Sequence, residues 1–248
     1  MPIARMHAVV LDCPDPPALA GFYQALVGIW PGKSPQDLAA RLKAYMLKAA
    51  REAKLRTSWI NPDTDYEAAL ERFVTESLKS PLFLKEAGDT VARVAHLGLL
   101  VGLSQALLKV ASPGIPDYYQ GSELWDFSLV DPDNRRPVDY AVREKFLKQL
   151  ERSIPRPEEL LENLADGRAK LHVIRTGLAL RRRWPALFQG GEYVPLYADG
   201  AREARAHAFR LGRPARQHYC SFILAFSTTC FQLAISLAMN ARNPAESW

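Results

Sequence analysis

Cysteine is scarce in this 248-residue chain. The three cysteines, Cys13, Cys220 and Cys230, lack the short spacing of metal ligands and show no obvious pairing. Their scarcity predicts a reducing, cytoplasmic location. The sequence also shows no basic segment followed by an apolar run at its start, so no signal peptide is expected. No internal repeat is apparent.

Long uninterrupted apolar runs and a strong charge of one sign are also lacking. Ser, Thr and Gln interrupt the apolar segment 219–239, which favours a buried or malformed segment over a membrane span. The net charge is only +5 and basic residues mix with acidic ones, so neither nucleic acid nor a membrane is an expected partner. Arg181–Arg183 is the densest basic run and suits the last turn of a helix. With 48% apolar and 24% charged residues, the composition is typical of a globular protein with a sizeable core.

The remaining pattern is mainly helical. Start signals and apolar stripes predict helices over 18–28, from 34, from Thr64, over 82–111, over 139–151, from 157 and over 168–184. Residues 97–110 are apolar almost all round, which predicts deep burial. Thr64–Glu67 has the pattern of a capping box. Short strands are predicted over 193–197 and 204–211, whereas 213–248 shows no clear strand alternation.

The most informative segment is 112–139. A long apolar helix ends at Pro113-Gly114, and a short strand is predicted to follow. Next come clustered aromatics and carboxylates, and then a loop that alternates Asp with Arg. Helix, strand and polar loop in this order are typical of the C-terminal face of a (β/α) barrel. Aromatic rings stack on the apolar face of a pyranose and charged groups bind its hydroxyls, so the segment suits a sugar.

These motifs resemble the α-amylase superfamily (glycoside hydrolase family 13), and most closely the maltooligosyltrehalose synthases. The resemblance is carried by Gln120–Asp126, Ser128–Tyr140 and Thr57–Pro62 leading into Tyr66-Glu67, and it covers about 23–211. It implies a mainly α fold with short β: an incomplete (β/α) barrel fragment, consisting of a helical insertion and the last barrel strand, followed by the start of a β-sandwich. The implied domains are 1–28 (a glyoxalase-like β-α start), 29–111 (the helical insertion), 112–189 (the last strand, substrate-side loop and following helices) and 190–248 (a partial β domain with an atypical tail).

The resemblance implies an isomerase of trehalose biosynthesis. Such enzymes turn the terminal α-1,4 linkage of a maltooligosaccharide into an α,α-1,1 linkage by retaining transfer, without a cofactor or metal. The implied partners are a maltooligosaccharide or glucan chain end and a trehalose-releasing hydrolase of the same pathway. In this superfamily the catalytic carboxylates lie on barrel strands that precede the helical insertion. The sequence has no Asn-His-Asp type and no Gly-x-Arg-x-Asp segment. We therefore expect no catalytic residue in the chain, which alone would be a catalytically incomplete fragment.

Two residues carry the strongest expectation of substrate contact. Asp131 and Arg135 fall on the Asp-Pro-x-Asn-Arg pattern, which in related glucan transferases contacts a sugar on the non-reducing side of the cleaved bond. The alternative is that Asp131 caps a turn and Arg135 pairs with a neighbouring carboxylate. Both interpretations remain open from the sequence.

Four further residues complete the predicted substrate-binding set: Tyr118, Tyr119, Glu123 and Asp126. For the tyrosines, packing at the barrel rim is the favoured alternative. For the two acids, the favoured alternative is pairing with Arg135 or Arg136. Trp59 could equally stack on a sugar or pack on a helix.

The first 28 residues resemble the opening β-α unit of a glyoxalase-like domain. In metal-dependent members of that class a His on the first strand is a ligand, and His7 occupies such a position. A structural His is the favoured alternative. Three hypotheses therefore stand: a synthase-like enzyme part, a non-catalytic carbohydrate-contacting fragment, and a glyoxalase-like metal-binding protein.

Overall fold

The structure, a computed structural model, describes residues 16–30, 35–153, 155–197, 206–213, 218–226 and 231–239. The helices within them are α1 (Pro16–Ile29), α2 (Pro35–Ala53), α3 (Thr64–Lys79), α4 (Pro81–Ala111), α5 (Tyr140–Arg152), α6 (Pro157–Glu162), α7 (Arg168–Arg183) and α8 (Pro185–Gly190). The strands are β1 (Glu192–Leu196), β2 (Ala206–Arg213), β3 (His218–Phe226) and β4 (Phe231–Met239). The prediction of a mainly α protein with short β is confirmed. His7 and the predicted helix cap at Ser34 lie outside the described residues.

The start of α3 differs from the predicted capping box. Asp63, not Thr64, is the N-cap, and its carboxylate accepts a hydrogen bond from the Tyr66 amide at 3.0 Å. Glu67 does not turn back to the cap, because a guanidinium and a hydroxyl from outside the helix bind its carboxylate. The boundary of the helix was therefore predictable, but the role of Glu67 was not.

The chain divides into two compact units, residues 1–94 with 127–137 and residues 95–126 with 138–248. In the first unit, α1, α2 and α3 bury one apolar cluster. Its most deeply buried members are Phe22, Leu26, Ile29, Leu42 and Val74. Phe83 and Leu84 in the first turns of α4 pack against this cluster, as does Leu129 from the polar loop. These contacts hold the loop and the three helices in one body.

The second unit has its own apolar cluster, formed by the second half of α4, α6, α7, α8 and β2. Leu107, Phe188 and Leu211 are among its most completely buried side chains. Gly177 of α7 lies against Val110 of α4, where a β-carbon would come within 2.5 Å of a Val110 methyl. Glycine therefore permits the close approach of these two helices.

The apolar second half of α4 is not deeply buried throughout, which corrects the prediction from its composition. Leu97, Val101 and Leu108 are 60%, 48% and 38% exposed, while Leu103, Leu107 and Val110 are buried. The reason is geometric, since a helix in a small unit is covered only on the side that its neighbours reach. Among the described residues, α4 is the one helix long and apolar enough to cross a membrane, with 33% of its most apolar window buried. Only the length and composition of α4 meet the criterion for a membrane span, and the core helices of other proteins meet it as well.

The four strands form one antiparallel sheet in the order β1-β2-β3-β4. Two predictions are corrected here. Residues 218–226 and 231–239 form strands although they lack alternation, because nearly continuous apolar runs also build strands. The short strand predicted after Gly114 is absent: 115–119 has no regular secondary structure, and it pairs with no described strand. A single extended segment without a neighbour leaves its backbone groups unpaired.

Candidate functional site

In the first unit, the polar loop 127–137 is fastened to α2 through Arg41. The Arg41 guanidinium donates from Nε and Nη2 to the two carboxylate oxygens of Asp133, both at 2.9 Å. Its Nη2 also donates to the Phe127 carbonyl at 2.6 Å. The Asp133 carboxylate accepts a further bond from the Leu129 amide at 2.6 Å. A two-pronged, largely buried ion pair of this kind fixes both position and orientation of the loop.

The environment of Asp133 keeps its carboxyl ionised. Burial alone would raise the pKa of Asp133, but the hydrogen bonds from Arg41 and from the Leu129 amide outweigh it. The neighbouring charge of Arg136 acts in the same direction, and the net result is a pKa below the ordinary value. The carboxylate therefore serves as a permanent anchor rather than a proton carrier.

Two further cations bind the backbone and side chains of this loop. The Lys48 ammonium on α2 donates to the Asp131 carbonyl at 2.6 Å. The Arg136 guanidinium donates to the Asp133 carbonyl and to the Ser128 hydroxyl, both at 3.0 Å. The loop conformation is thus set from α2 on one side and by its own arginine on the other.

Asp131 and Arg135, the predicted sugar-binding residues, form an ion pair with each other. Their side chains remain 46% and 70% exposed, so both are accessible to a ligand. The arrangement also corresponds to the alternative in which Arg135 pairs with a neighbouring carboxylate. Because the pair is exposed, it contributes little to stability, and its partners can be exchanged at low cost.

A shallow cavity of about 270 Å³ opens between α2 and this loop. It is lined by Ala40, Arg41, Ala44, Tyr45 and Lys48 of α2 and by loop residues 130–133. The cavity combines apolar alanine side chains with a phenol ring, an ammonium and a carboxylate. Such a combination of apolar and polar groups suits a sugar ligand.

In the second unit, the two predicted tyrosines have different surroundings. Tyr118 is half-buried against α4, where its ring lies 5.2 Å below the Lys109 ammonium and its hydroxyl is 3.5 Å from the Ala106 carbonyl. Burial raises the pKa of Tyr118. Tyr119 is 50% exposed. Tyr118 therefore packs against α4, whereas half of the Tyr119 side chain is open to solvent.

The Glu123 carboxylate forms an ion pair with the Arg143 guanidinium of α5, with 3.0 Å between Oε2 and Nε. The sequence favoured a pair with Arg135 or Arg136 instead. The Arg143 guanidinium also donates to the Gly121 carbonyl at 2.5 Å and to the Asp139 carbonyl at 2.9 Å. Gly121 has φ of 89°, a left-handed conformation that favours glycine. Glu123 thus fixes the 120–124 turn to α5, and this structural role occupies one of its oxygens.

Asp126 is exposed at the end of the second-unit segment. Lys170 donates to the Leu124 carbonyl at 3.0 Å and lies 5.2 Å above the Trp125 ring, while the indole N–H of Trp125 donates to the Leu164 carbonyl at 2.6 Å. Burial lowers the pKa of Lys170, and the charge of Asp126 partly offsets this. Asp126 therefore acts on Lys170 through its field.

Several residues that hold these segments were not predicted, above all Arg41 and Arg143. Arg41 is 8% exposed and its carboxylate partner lies 92 positions away in the sequence, so no local pattern marks it. Arg181 lies in the last turn of α7, as predicted, but the sequence did not indicate that its guanidinium binds the carbonyls of Val110, Ser112 and Gly114 at the end of α4. Its position in a basic run gave the charge but not the partner.

In the first unit, a further ion pair, between Arg51 and Glu67, lies at the connection between α2 and α3. The Glu67 carboxylate accepts hydrogen bonds from Arg51 at 2.8 and 2.6 Å and from the Thr57 hydroxyl at 2.6 Å. The bonds from Arg51 and then from Thr57 lower the pKa of Glu67 from 4.5 to about 2. Arg51 also lies 4.8 Å above the Trp59 ring.

Across the described ranges no group of three or more His, Cys, Asp or Glu side chains could hold a metal ion.

The described residues thus define a mainly helical protein with a small antiparallel sheet and a charged loop locked onto a helix. No family model matches the chain. It is 40% identical over 213 residues to a Mycobacterium tuberculosis protein named as a maltooligosyl trehalose synthase, and the match covers 83% of this chain and 25% of the relative.

Solved structures give the same answer. A maltooligosyltrehalose synthase from Arthrobacter ramosus matches with a TM-score of 0.66 and 38% identity over 81% of this chain and 24% of that one. A second maltooligosyl trehalose synthase structure matches with a TM-score of 0.70 and 33% identity over 82% and 27%. These matches confirm the resemblance to maltooligosyltrehalose synthases, and the chain spans about a quarter of the length of the relatives it matches.

Proposed function

We propose that this chain supplies a glucan-contacting part of a maltooligosyltrehalose synthase. The observation that carries the proposal is the loop 127–137. It retains the Asp-Pro-x-Asn-Arg pattern, and buried bonds to Arg41 hold it while Asp131 and Arg135 stay exposed. A pre-organised, exposed pair of opposite charge suits sugar hydroxyls, which both donate and accept hydrogen bonds.

The reaction would be an intramolecular transglucosylation of the terminal α-1,4 linkage to an α,α-1,1 linkage. The chain's own residues would bind and orient the glucan, and the bond-breaking carboxylates would come from barrel segments that this sequence does not contain. The chain alone would then bind without turnover. Tyr119 and Asp126 of the second unit are also exposed, and glucan contact by each of them is a separate prediction.

The same proposal assigns the helices and strands to parts of the synthase fold, and it gives the protein a location and partners. Residues 29–111 would be the helical insertion that precedes the segment corresponding to the last barrel strand, and β1–β4 would begin the sandwich that follows the barrel. The protein would act in the cytoplasm with a maltooligosaccharide chain end as substrate and a trehalose-releasing hydrolase as the next enzyme of the pathway.

The test is calorimetric titration of the purified chain with maltopentaose, with loss of reducing ends measured in parallel. We expect saturable binding and no loss of reducing ends. Arg135→Ala should weaken binding by about tenfold to a hundredfold, because a charge-assisted hydrogen bond contributes about 1.5–3 kcal/mol. Arg72→Ala on the exposed side of α3 is the matched control and should bind like the unmodified chain.

Each part of the proposal can fail separately. Equal affinity in Arg135→Ala and the unmodified chain would remove the loop from the binding site. Rapid loss of reducing ends would show that the chain contains a complete catalytic set. Absence of any binding would contradict the glucan-contacting role itself.

A further inference from the structure

Trp59 is unusually exposed for a tryptophan that has a fixed position. It lies in the connection between α2 and α3, is 59% exposed, and is followed by Ile60, which is 89% exposed. A loop tryptophan that packs on a helix, the alternative open from the sequence, would be largely covered. The exposed indole surface therefore faces outward from the first unit.

A series of polar contacts supports one face of the Trp59 indole ring. The Arg51 guanidinium lies 4.8 Å above the ring, and it is itself fixed by two hydrogen bonds to Glu67. Thr57 donates to the same carboxylate, and its hydroxyl accepts a bond from the Asp63 amide at 3.0 Å. The loop turn is closed by the bond from the Ser58 amide to the Asn61 carbonyl at 3.1 Å. One ring face is thus supported and the ring is ordered before any ligand arrives.

The same side of α2 supports both this tryptophan and the polar loop. Arg41 and Lys48, which hold the loop, are about two helical turns apart and therefore on one face. Arg51 follows Lys48 after about one turn, roughly 5 Å along the axis, on the neighbouring part of that face. The loop with Asp131 and Arg135 and the Trp59 ring are thus fastened to successive turns of one helix.

We propose that the exposed face of Trp59 is a stacking platform for a glucosyl ring of the same glucan that the Asp131 and Arg135 loop contacts. The apolar C–H face of the pyranose would lie on the indole, and its hydroxyls would stay in water. The inference rests on the proposed function and extends it, because it adds a second subsite along α2 and predicts a preference for longer chains.

The test compares maltotriose with maltoheptaose on the full chain by calorimetry. A longer sugar has more rings with which to reach the platform while it is bound at the loop, so Trp59→Ala should weaken maltoheptaose binding about tenfold and weaken maltotriose binding less. Trp59→Phe should restore most of the affinity, since a phenyl ring still stacks. Ile60→Ala is the control, because it removes neighbouring apolar surface without removing the ring.

A second measurement does not depend on affinity. The indole N–H resonance that disappears in Trp59→Phe belongs to Trp59, and maltoheptaose should shift it. Unchanged maltoheptaose affinity in Trp59→Ala, with binding still lost in Arg135→Ala, would overturn the platform and leave the proposed function standing. No binding of either sugar by the unmodified chain would overturn both. Equal weakening by Ile60→Ala would also overturn it, since general apolar contact rather than ring stacking would then be responsible.

Discussion

Arg41 on α2 and Asp133 in the polar loop form a two-pronged ion pair whose side chains are only 7% and 13% exposed. The pair joins residues far apart in the sequence, and it is why the Asp131 and Arg135 side chains have a defined position. A buried pair of this kind is costly to break from one side, because the remaining charge stays desolvated.

Removing only Arg41 should therefore destabilise the first unit strongly. We expect Arg41→Ala to lower the free energy of unfolding by about 3 kcal/mol, measured by urea denaturation at pH 7. Arg41→Met combined with Asp133→Leu should recover much of that loss, because no buried charge is left unpaired. Lys79→Ala, which breaks the exposed pair with Glu76, is the control and should cost less than about 1 kcal/mol. An equally small effect of Arg41→Ala would show that the pair is not buried in solution.

Glu67 should make stability depend on acid. Its pKa is lowered from 4.5 to about 2 in the folded protein by the bonds from Arg51 and Thr57, so ionised Glu67 stabilises the fold above about pH 4.5. This contribution should be lost progressively as the pH falls from about 4.5 to about 2. The measurement is the free energy of unfolding across that window in the unmodified chain and in Glu67→Gln. The variant should have a shallower slope, and identical slopes would rule out the assigned pKa.

The contact between α4 and α7 should not tolerate a larger residue at Gly177. In Gly177→Ala the new methyl group would meet Val110 at 2.5 Å, so we expect a loss of about 1–3 kcal/mol in unfolding free energy. Val110→Ala in the same chain should relieve part of it. The control is Gly98→Ala, also in a helix but with no atom within 4 Å, which should raise stability by up to about 1 kcal/mol.

The exposed apolar face of α4 should promote self-association. Leu97, Val101 and Leu108 are all more than a third exposed on one helix, and contiguous apolar surface of this kind favours association. We expect the purified chain to sediment as concentration-dependent oligomers or to aggregate on heating. Leu97→Gln with Val101→Gln should shift it toward the monomer without lowering its melting temperature. A cooperative, reversible melt of the unmodified chain at high temperature would contradict this expectation.

The sequence predicted helices well where periodicity and termini agreed. The bounds of α1, α4, α5 and α7 lie within a few residues of those expected, since break signals such as Pro113-Gly114 after α4 and Pro185 after α7 act locally. Strand prediction was poorer. Residues 218–226 and 231–239 lack alternation and were missed, whereas the isolated segment after Gly114 was wrongly expected to be a strand.

For the candidate site, the loop was predictable and its supports were not. Asp131 and Arg135 stood out because they belong to a contiguous motif. Arg41, Arg143 and Lys170 could not be recognised, because their partners lie 92, 20 and 46 positions away. Charge in a helix normally indicates solvent, and only the folded chain shows which cations are buried on backbone carbonyls. Whether the predicted residues contact a sugar stays a prediction for the titrations above.

The order β1-β2-β3-β4 has a consequence for how the chain is made. Every strand pairs with the next one in the sequence, and only residues 214–217 and 227–230 separate the last three. Short connections close at low entropic cost, so each hairpin can form soon after its second strand leaves the ribosome. The first unit depends on the distant partners Arg41 and Asp133, so it can be completed only after the loop 127–137 has been synthesised. During synthesis, the Arg41–Asp133 ion pair can therefore form before the strands β1–β4 have been made.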